Sequence, residues 1–197
     1  MKNRIFIAIA ILLSVTTSVL GQTVLEKAVL KELNHYRDSL GLHPVIYSVN
    51  ASKAASHHTQ WMSKVNFDKI KKMMEVDDGS EAMDAHLETI DIPDFKELKT
   101  QEDRGNFYGA TNDISSQWEI CNITSANSGN YFVPTQTQDN VLAKNIINKF
   151  SNSPGHKLLM EINATGAYVG IGVIVKEVVM NGQSDKIAYT TIYFIEK

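Results

Sequence analysis

The C-terminal segment constrains the fold most. "AYVGIGVIVKEVV" (167–179) is a β-branched run containing two glycines, and "KIAYTTIYFIEK" (186–197) runs back after Asn181-Gly182. Asparagine-glycine accepts the positive φ of a tight turn, so the two runs predict an antiparallel hairpin.

Helical patterns precede it. In "TVLEKAVLKELNHYRDSLG" (23–41), Leu25, Val29, Leu33, Tyr36 and Leu40 recur at three- and four-residue steps, and Gly41 supplies a stop. "LHPVIYS" is extended through Pro44, and Asn50 is the expected N-cap of a second helix that places Ala51, Ala54, Ala55, His58 and Met62 on one face. "TQDNVLAKNIINKF" (137–150) carries Leu142, Ile146 and Phe150 on one stripe and ends at "SNSPG". Helices at the start and middle with a strand pair at the end define an α+β layered domain. Between Asp68 and Asn140 the pattern is weak: charged with short apolar islands, then rich in Ser, Thr and Asn, as in loops and short strands. Binding residues are expected in this stretch.

The first 21 residues read as a secretory signal peptide: Lys2 and Arg4, an apolar run from Ile5 to Val15, then small and polar residues up to Gly21. The run is short for a membrane anchor. The expectation is an exported protein with one domain over 22–197 and no stable transmembrane anchor. Cleavage removes two of the 19 Lys and Arg and none of the 22 Asp and Glu, leaving 17 against 22 and a net charge of −5. That balance excludes a general nucleic-acid binder, which needs a basic surface to displace counterions. Cys121 is the single cysteine, so no intrachain disulfide exists and packing or a bound group must hold the fold. A lone thiol could be a nucleophile or a crosslink. Flanked by Ile120 and Ile123, Cys121 reads as a buried small apolar residue.

Six histidines offer chemistry. His35, His43 and His57 read as solvated or turn residues, and His58 as a satisfied core residue on the apolar face of the second helix. In "NSPGHKLLM" (152–160), Ser153 is a natural N-cap and Pro154 fits the first helical position, which puts His156 in the first turn. The positive end of the helix dipole disfavours the imidazolium and leaves the neutral form that ligates metal. A polar residue at a helix start is the competing reading. The chain has no His-Glu-x-x-His, no Cys-x-x-Cys and no Gly-x-Ser-x-Gly, so any site is assembled from distant residues.

The motifs together resemble the CAP superfamily of cysteine-rich secretory proteins, antigen 5 and plant pathogenesis-related 1 proteins, in its disulfide-poor bacterial form. They run in order: Leu33, Asn34 and Arg37; Gly41, Leu42 and Pro44; Ala54, Ala55, His58 and Met62; Ser153 to His156; and Val169 to Val173 with its hairpin partner. The resemblance covers about residues 25–66 and 140–197. It implies a three-layer α-β-α sandwich around a cleft lined by two histidines and two glutamates, with zinc or another divalent cation possible there. His156 matches one histidine directly, His86 in "MDAHLETID" stands for the other, and Glu119 in "WEICN" for the first glutamate. Trp118 and Ile120 flank Glu119 where the family has glycine and asparagine. Lys144 or Asn145 occupies the position of the second acid, and an insertion precedes His86.

The resemblance implies a non-enzymatic extracellular module binding a lipid, protein or cell-envelope component. The alternatives are a metal-assisted hydrolase with Glu119 as general base on zinc-bound water, or an adhesion module using the acidic loops between Glu75 and Asp103.

Overall fold

The computed structural model describes residues 22–75, 84–112, 114, 116–126, 136–180 and 182–196. The expected signal peptide and Asn181 lie outside them. Helix α1 (Val24–Ser39) opens with a capping box: Thr23 Oγ1 accepts from the Glu26 amide at 3.1 Å while Glu26 Oε2 accepts from the Thr23 amide at 2.8 Å. It ends at Gly41, whose φ of +71° lets the chain turn away. Two of the motif residues on α1 have structural duties. Asn34 bridges the amide and carbonyl of Val45. Arg37, only 1% exposed, donates to the carbonyls of His43, Met160 and Ile162.

Strand β1 (Ile46–Tyr47) leads into α2 (Val49–Lys64), followed by α3 (Phe67–Glu75) and α4 (Gln101–Phe107). The N-cap of α2 is Ser48 and not Asn50, because Ser48 takes the extended conformation and its hydroxyl reaches the Ala51 amide. Asn50 instead donates to Gly109 O. The Ser- and Asn-rich segment expected as loops and short strands holds a ten-residue strand, β2 (Ser116–Ser125). Its two faces are both buried, so the period-2 alternation that marks a half-exposed strand is missing. Then come α5 (Gln136–Ser151), α6 (Pro154–Met160) and the expected hairpin of β3 (Tyr168–Met180) and β4 (Gln183–Glu196).

The sheet order is β1-β3-β4-β2, with β1 parallel to β3 and the other pairs antiparallel. Helices cover both faces, giving the expected α+β three-layer sandwich. On one face, Val29 and Leu33 of α1 and Leu142, Ile146 and Phe150 of α5 pack on Ile120, Ile171, Ile192 and Phe194. On the other, α2 lies directly on the hairpin. A Cβ at Gly170 would sit 1.9 Å from the Ala51 carbonyl carbon, and one at Gly172 2.7 Å from Ser56 Cα. The Gly-x-Gly of β3 and the alanines of α2 thus answer the same demand, close backbone approach. Ser52 seals the contact by bonding both the amide and the carbonyl of Ile171.

Candidate functional site

The site lies where β2, the edge strand, meets α2 and α4. Along β2, Trp118 and Ile120 face α1 and α5, while Glu119 and Cys121 face the other way. Arg104 enters from α4, whose own capping box joins Thr100 and Asp103. Arg104 is fully buried, and its Nη2 donates to Glu119 Oε1 at 2.8 Å and to the His86 carbonyl at 3.0 Å. Its Nη1 donates to the Leu98 carbonyl at 3.1 Å and to Glu88 Oε1 at 3.4 Å. One guanidinium therefore holds two buried carboxylates and the backbone of a site histidine.

Glu88 is the hub of the inner half. Its Oε1 lies 3.2 Å from His58 Nδ1 and its Oε2 accepts from the Leu98 amide at 3.1 Å. His57 Nε2 stands 3.3 Å from Glu88 Oε2 but is misaligned for a hydrogen bond. His57 is buried between Phe95 and Tyr108, which corrects its reading as a solvated residue. His58 is fully buried, stacked on Trp61, with Nε2 2.9 Å from the Ala85 carbonyl.

The outer half holds the residues named from the sequence. Asp84 Oδ1 accepts from the His86 amide and sets the turn that presents the ring. His86 Nδ1 is 3.3 Å from Glu119 Oε1, and its side chain is one-third exposed. His156 reaches the same place from α6 and packs edge-on to His86, with ring centroids 6.4 Å apart and Phe150 behind it at 5.3 Å. Helix α6 begins at Pro154 as expected, but the Ser153 side chain makes no capping bond. Cys121 is buried as expected, yet it lies against chemistry: its Sγ is 3.6 Å from His86 Nδ1. The structure thus brings His86, His156 and Glu119 together, and adds Glu88, Arg104, His57, His58 and Cys121. In the sequence, the only hint of Glu88 is its place two residues after His86.

Electrostatics follow from burial with too few cations. Burial pushes the Glu119 carboxyl up, but Arg104, His58 and His86 outweigh it and hold it down at about 2. Burial likewise opposes ionisation of Glu88, while the neighbouring His57 and His58 side chains and the charge of Arg104 bring it to about 2. Burial also disfavours a charged His58, yet Glu119 draws its pKa above the ordinary value. His86 is raised well above that value, first by the Cys121 thiolate and also by Glu119. The Cys121 thiol, pushed up by burial, is pulled down to about 7 by His86. Two carboxylates share one arginine, so a further positive charge is favoured here, on an imidazole or on a bound cation. Among the described residues, neither the buried Glu119 Oε2 nor Arg104 Nε has a hydrogen-bond partner.

Imidazole nitrogen and carboxylate oxygen are the donor types zinc uses. Among the described residues, no three His, Cys, Asp or Glu side chains form a closed metal-binding group. Two imidazoles on a tetrahedral zinc, with Zn–N of about 2.0–2.1 Å, have ring centres about 5 Å apart, so this pair stands roughly 1 Å wider than a shared ion requires. The donor types suit a cation, and the two rings as placed stand too far apart to share one.

No protein-family model matches the chain, and no curated protein matches it by sequence. Among solved structures it is similar to an extracellular protein containing an SCP domain from Bacillus anthracis str. Ames, with 17% sequence identity over 87% of this chain and a TM-score of 0.47. The chain spans 40% of the length of that structure's chain. Fold and site together define a three-layer α+β domain with a buried ionic network opening at the sheet edge. Among the described residues, no helix is long and apolar enough to cross a membrane.

Proposed function

We propose that the chain is an extracellular CAP-type binding module whose sheet-edge cleft holds a divalent cation between His86 and His156, with Glu119 beside it. The observation that carries this reading is Glu119, whose Oε1 lies 3.3 Å from His86 Nδ1, with the His156 ring edge-on to His86, and whose buried Oε2 has no hydrogen-bond partner among the described residues. Such an atom is costly unless something cationic or hydrogen-bonding meets it. When bound, the ion supplies positive charge and an open coordination position for an external ligand. The protein's own groups hold the arrangement still. Arg104 fixes the Glu119 carboxylate and the His86 backbone, and Asp84 fixes the turn.

Binding is favoured over hydrolysis by the commitment of Glu119. Its Oε1 already accepts from Arg104 at 2.8 Å, which suits a fixed charge more than a base that must take a proton from water. The α5 position of the family's second acid carries Lys144 or Asn145, so this chain lacks that second candidate base. The exported location rests on the leader-like residues 1–21, and the organic ligand is of the lipid, protein or envelope class that the family resemblance implies.

The test is equilibrium dialysis of the purified protein against zinc, with His86→Ala and His156→Ala as comparisons. The expected result is roughly one zinc per chain, with affinity falling by more than about tenfold in either variant. Zinc uptake equal in all three proteins, or absent from all, would refute the cation reading.

A further inference from the structure

A second set of unfilled bonding groups lies outside the cleft, on the opposite face of β2. Trp118, Ile120, Asn122 and Thr124 alternate onto that face, and β4 answers with Ala188, Thr190, Ile192 and Phe194. Asn122 and Thr190 are direct partners across the ladder, so their Cβ atoms stand about 4.5–5.5 Å apart on one side of the sheet. Asn122 is 5% exposed and Thr190 is completely buried.

The hydrogen bonds of this row are half made. Thr124 Oγ1 donates to Asn122 Oδ1 at 3.0 Å, which fixes the plane of the amide and turns its Nδ2 away from Thr124. Among the described residues, Asn122 Nδ2 has no hydrogen-bond partner, and neither has Thr190 Oγ1. The first carries two N–H donors and the second both donates and accepts, so the pair is chemically complementary yet unjoined. Left in an apolar layer, two such groups cost free energy that the neighbouring Ile120 and Ile192 cannot offset. A single water bridges a pair of this kind with bonds nearly as good as a direct one. Room for it comes from Ala188, the small residue next to Thr190 on the same strand face and opposite Thr124, whereas Ile192 and Phe194 fill the other end of the row.

We propose that Asn122 and Thr190 together bind one internal water molecule, a resident ligand that ties β2 to β4 through side chains as well as through the ladder. The water accepts from Asn122 Nδ2 and donates to Thr190 Oγ1, and two polar partners are enough to hold a buried water. The tie matters because β2 is buried on both faces. A slip of two residues keeps every side chain on its own face, so apolar packing alone discriminates poorly against it, whereas the bridged pair exists only in the observed register. That register sets Glu119 opposite Tyr193 and within reach of Arg104. The water site stands whether or not the cleft holds a cation.

High-resolution crystal maps of the purified protein and two Thr190 variants test it. The expected wild-type map has one water peak about 2.7–3.2 Å from both Asn122 Nδ2 and Thr190 Oγ1. The peak should persist in Thr190→Ser, which keeps the hydroxyl, and be lost from Thr190→Val, which puts a methyl group of similar size in its place. Should Thr190→Val fail to fold, the wild-type and Thr190→Ser maps decide alone. A direct Asn122–Thr190 hydrogen bond, a wild-type map without the peak, or a peak unmoved in Thr190→Val would overturn the site.

Discussion

The two faces of the sheet each bury an arginine completely, and they use it in opposite ways. On the α1–α5 face, Arg37 donates only to neutral carbonyls, those of His43, Met160 and Ile162, and ties the end of α1 to the segment after α6. On the α2–α4 face, Arg104 meets two carboxylates and leaves its own Nε without a partner. The first face is an apolar core with a latch at its rim. The second sets a charged network with unfilled bonding capacity between apolar clusters around Trp61 and Met62 and around Ala51 and Ala54, and chemistry belongs where that capacity is unfilled. The same contrast separates positions whose role is packing from those whose role is binding.

The largest expected effect comes from breaking the ionic side. Arg104→Ala leaves Glu88 and Glu119 buried without their main counter-charge, which should cost about 3–5 kcal/mol at neutral pH. Because protonated carboxyls no longer need the arginine, that penalty should shrink as the pH falls. Arg37→Ala should show a pH-independent loss. Urea unfolding of both variants at two pH values reads the difference, and parallel losses would mean that the two arginines are equivalent.

On the apolar side, Phe150→Ala should cost about 3–4 kcal/mol by opening a cavity against Ile146 and the sheet. Phe150 also backs His156, so zinc affinity should weaken with it, and a stability loss with unchanged affinity would remove Phe150 from the site. Gly170→Ala should cost about 2–3 kcal/mol, since the added methyl meets backbone of α2 that cannot yield without moving the helix. Thermal denaturation checks it.

Wild-type pH dependence follows from Glu88 and Glu119. Their folded pKa values are depressed to about 2 from an ordinary 4.5, so they contribute stability above about 4.5 that is lost as the pH falls towards 2. The melting temperature should therefore drop steeply across that window, and far less so in a Glu88→Gln protein. The smallest contrast lies in the caps. Thr23→Ala should cost about 1 kcal/mol, and Ser153→Ala less than about 0.5 kcal/mol because its hydroxyl makes no capping bond.

The two faces also differ in how much the sequence discloses. Leu142, Ile146 and Phe150 announce the apolar face through helical spacing, and the β3–β4 hairpin is legible from its β-branched runs and turn. His156 is legible because Ser153-Pro154 fixes a helix start. Arg104 and Glu88 are hidden, since "HLETIDIPDFKELKTQEDRG" is dense in charges and nothing local distinguishes a buried charge from a solvated one. Strand β2 is hidden because Asn122, Thr124 and Cys121 are buried among its apolar residues, giving no alternation to follow. His57 and Cys121 gain their roles only from partners 30 or more residues away in the chain, namely Glu88 for His57 and His86 for Cys121.

The account turns on whether the sheet-edge cleft closes on a cation. An anomalous-difference map from a zinc-soaked crystal tests this most directly. The prediction is one strong peak at about 2.0–2.1 Å from a ring nitrogen of both His86 and His156. A map with no peak between those rings, or with zinc only at surface residues, would contradict it.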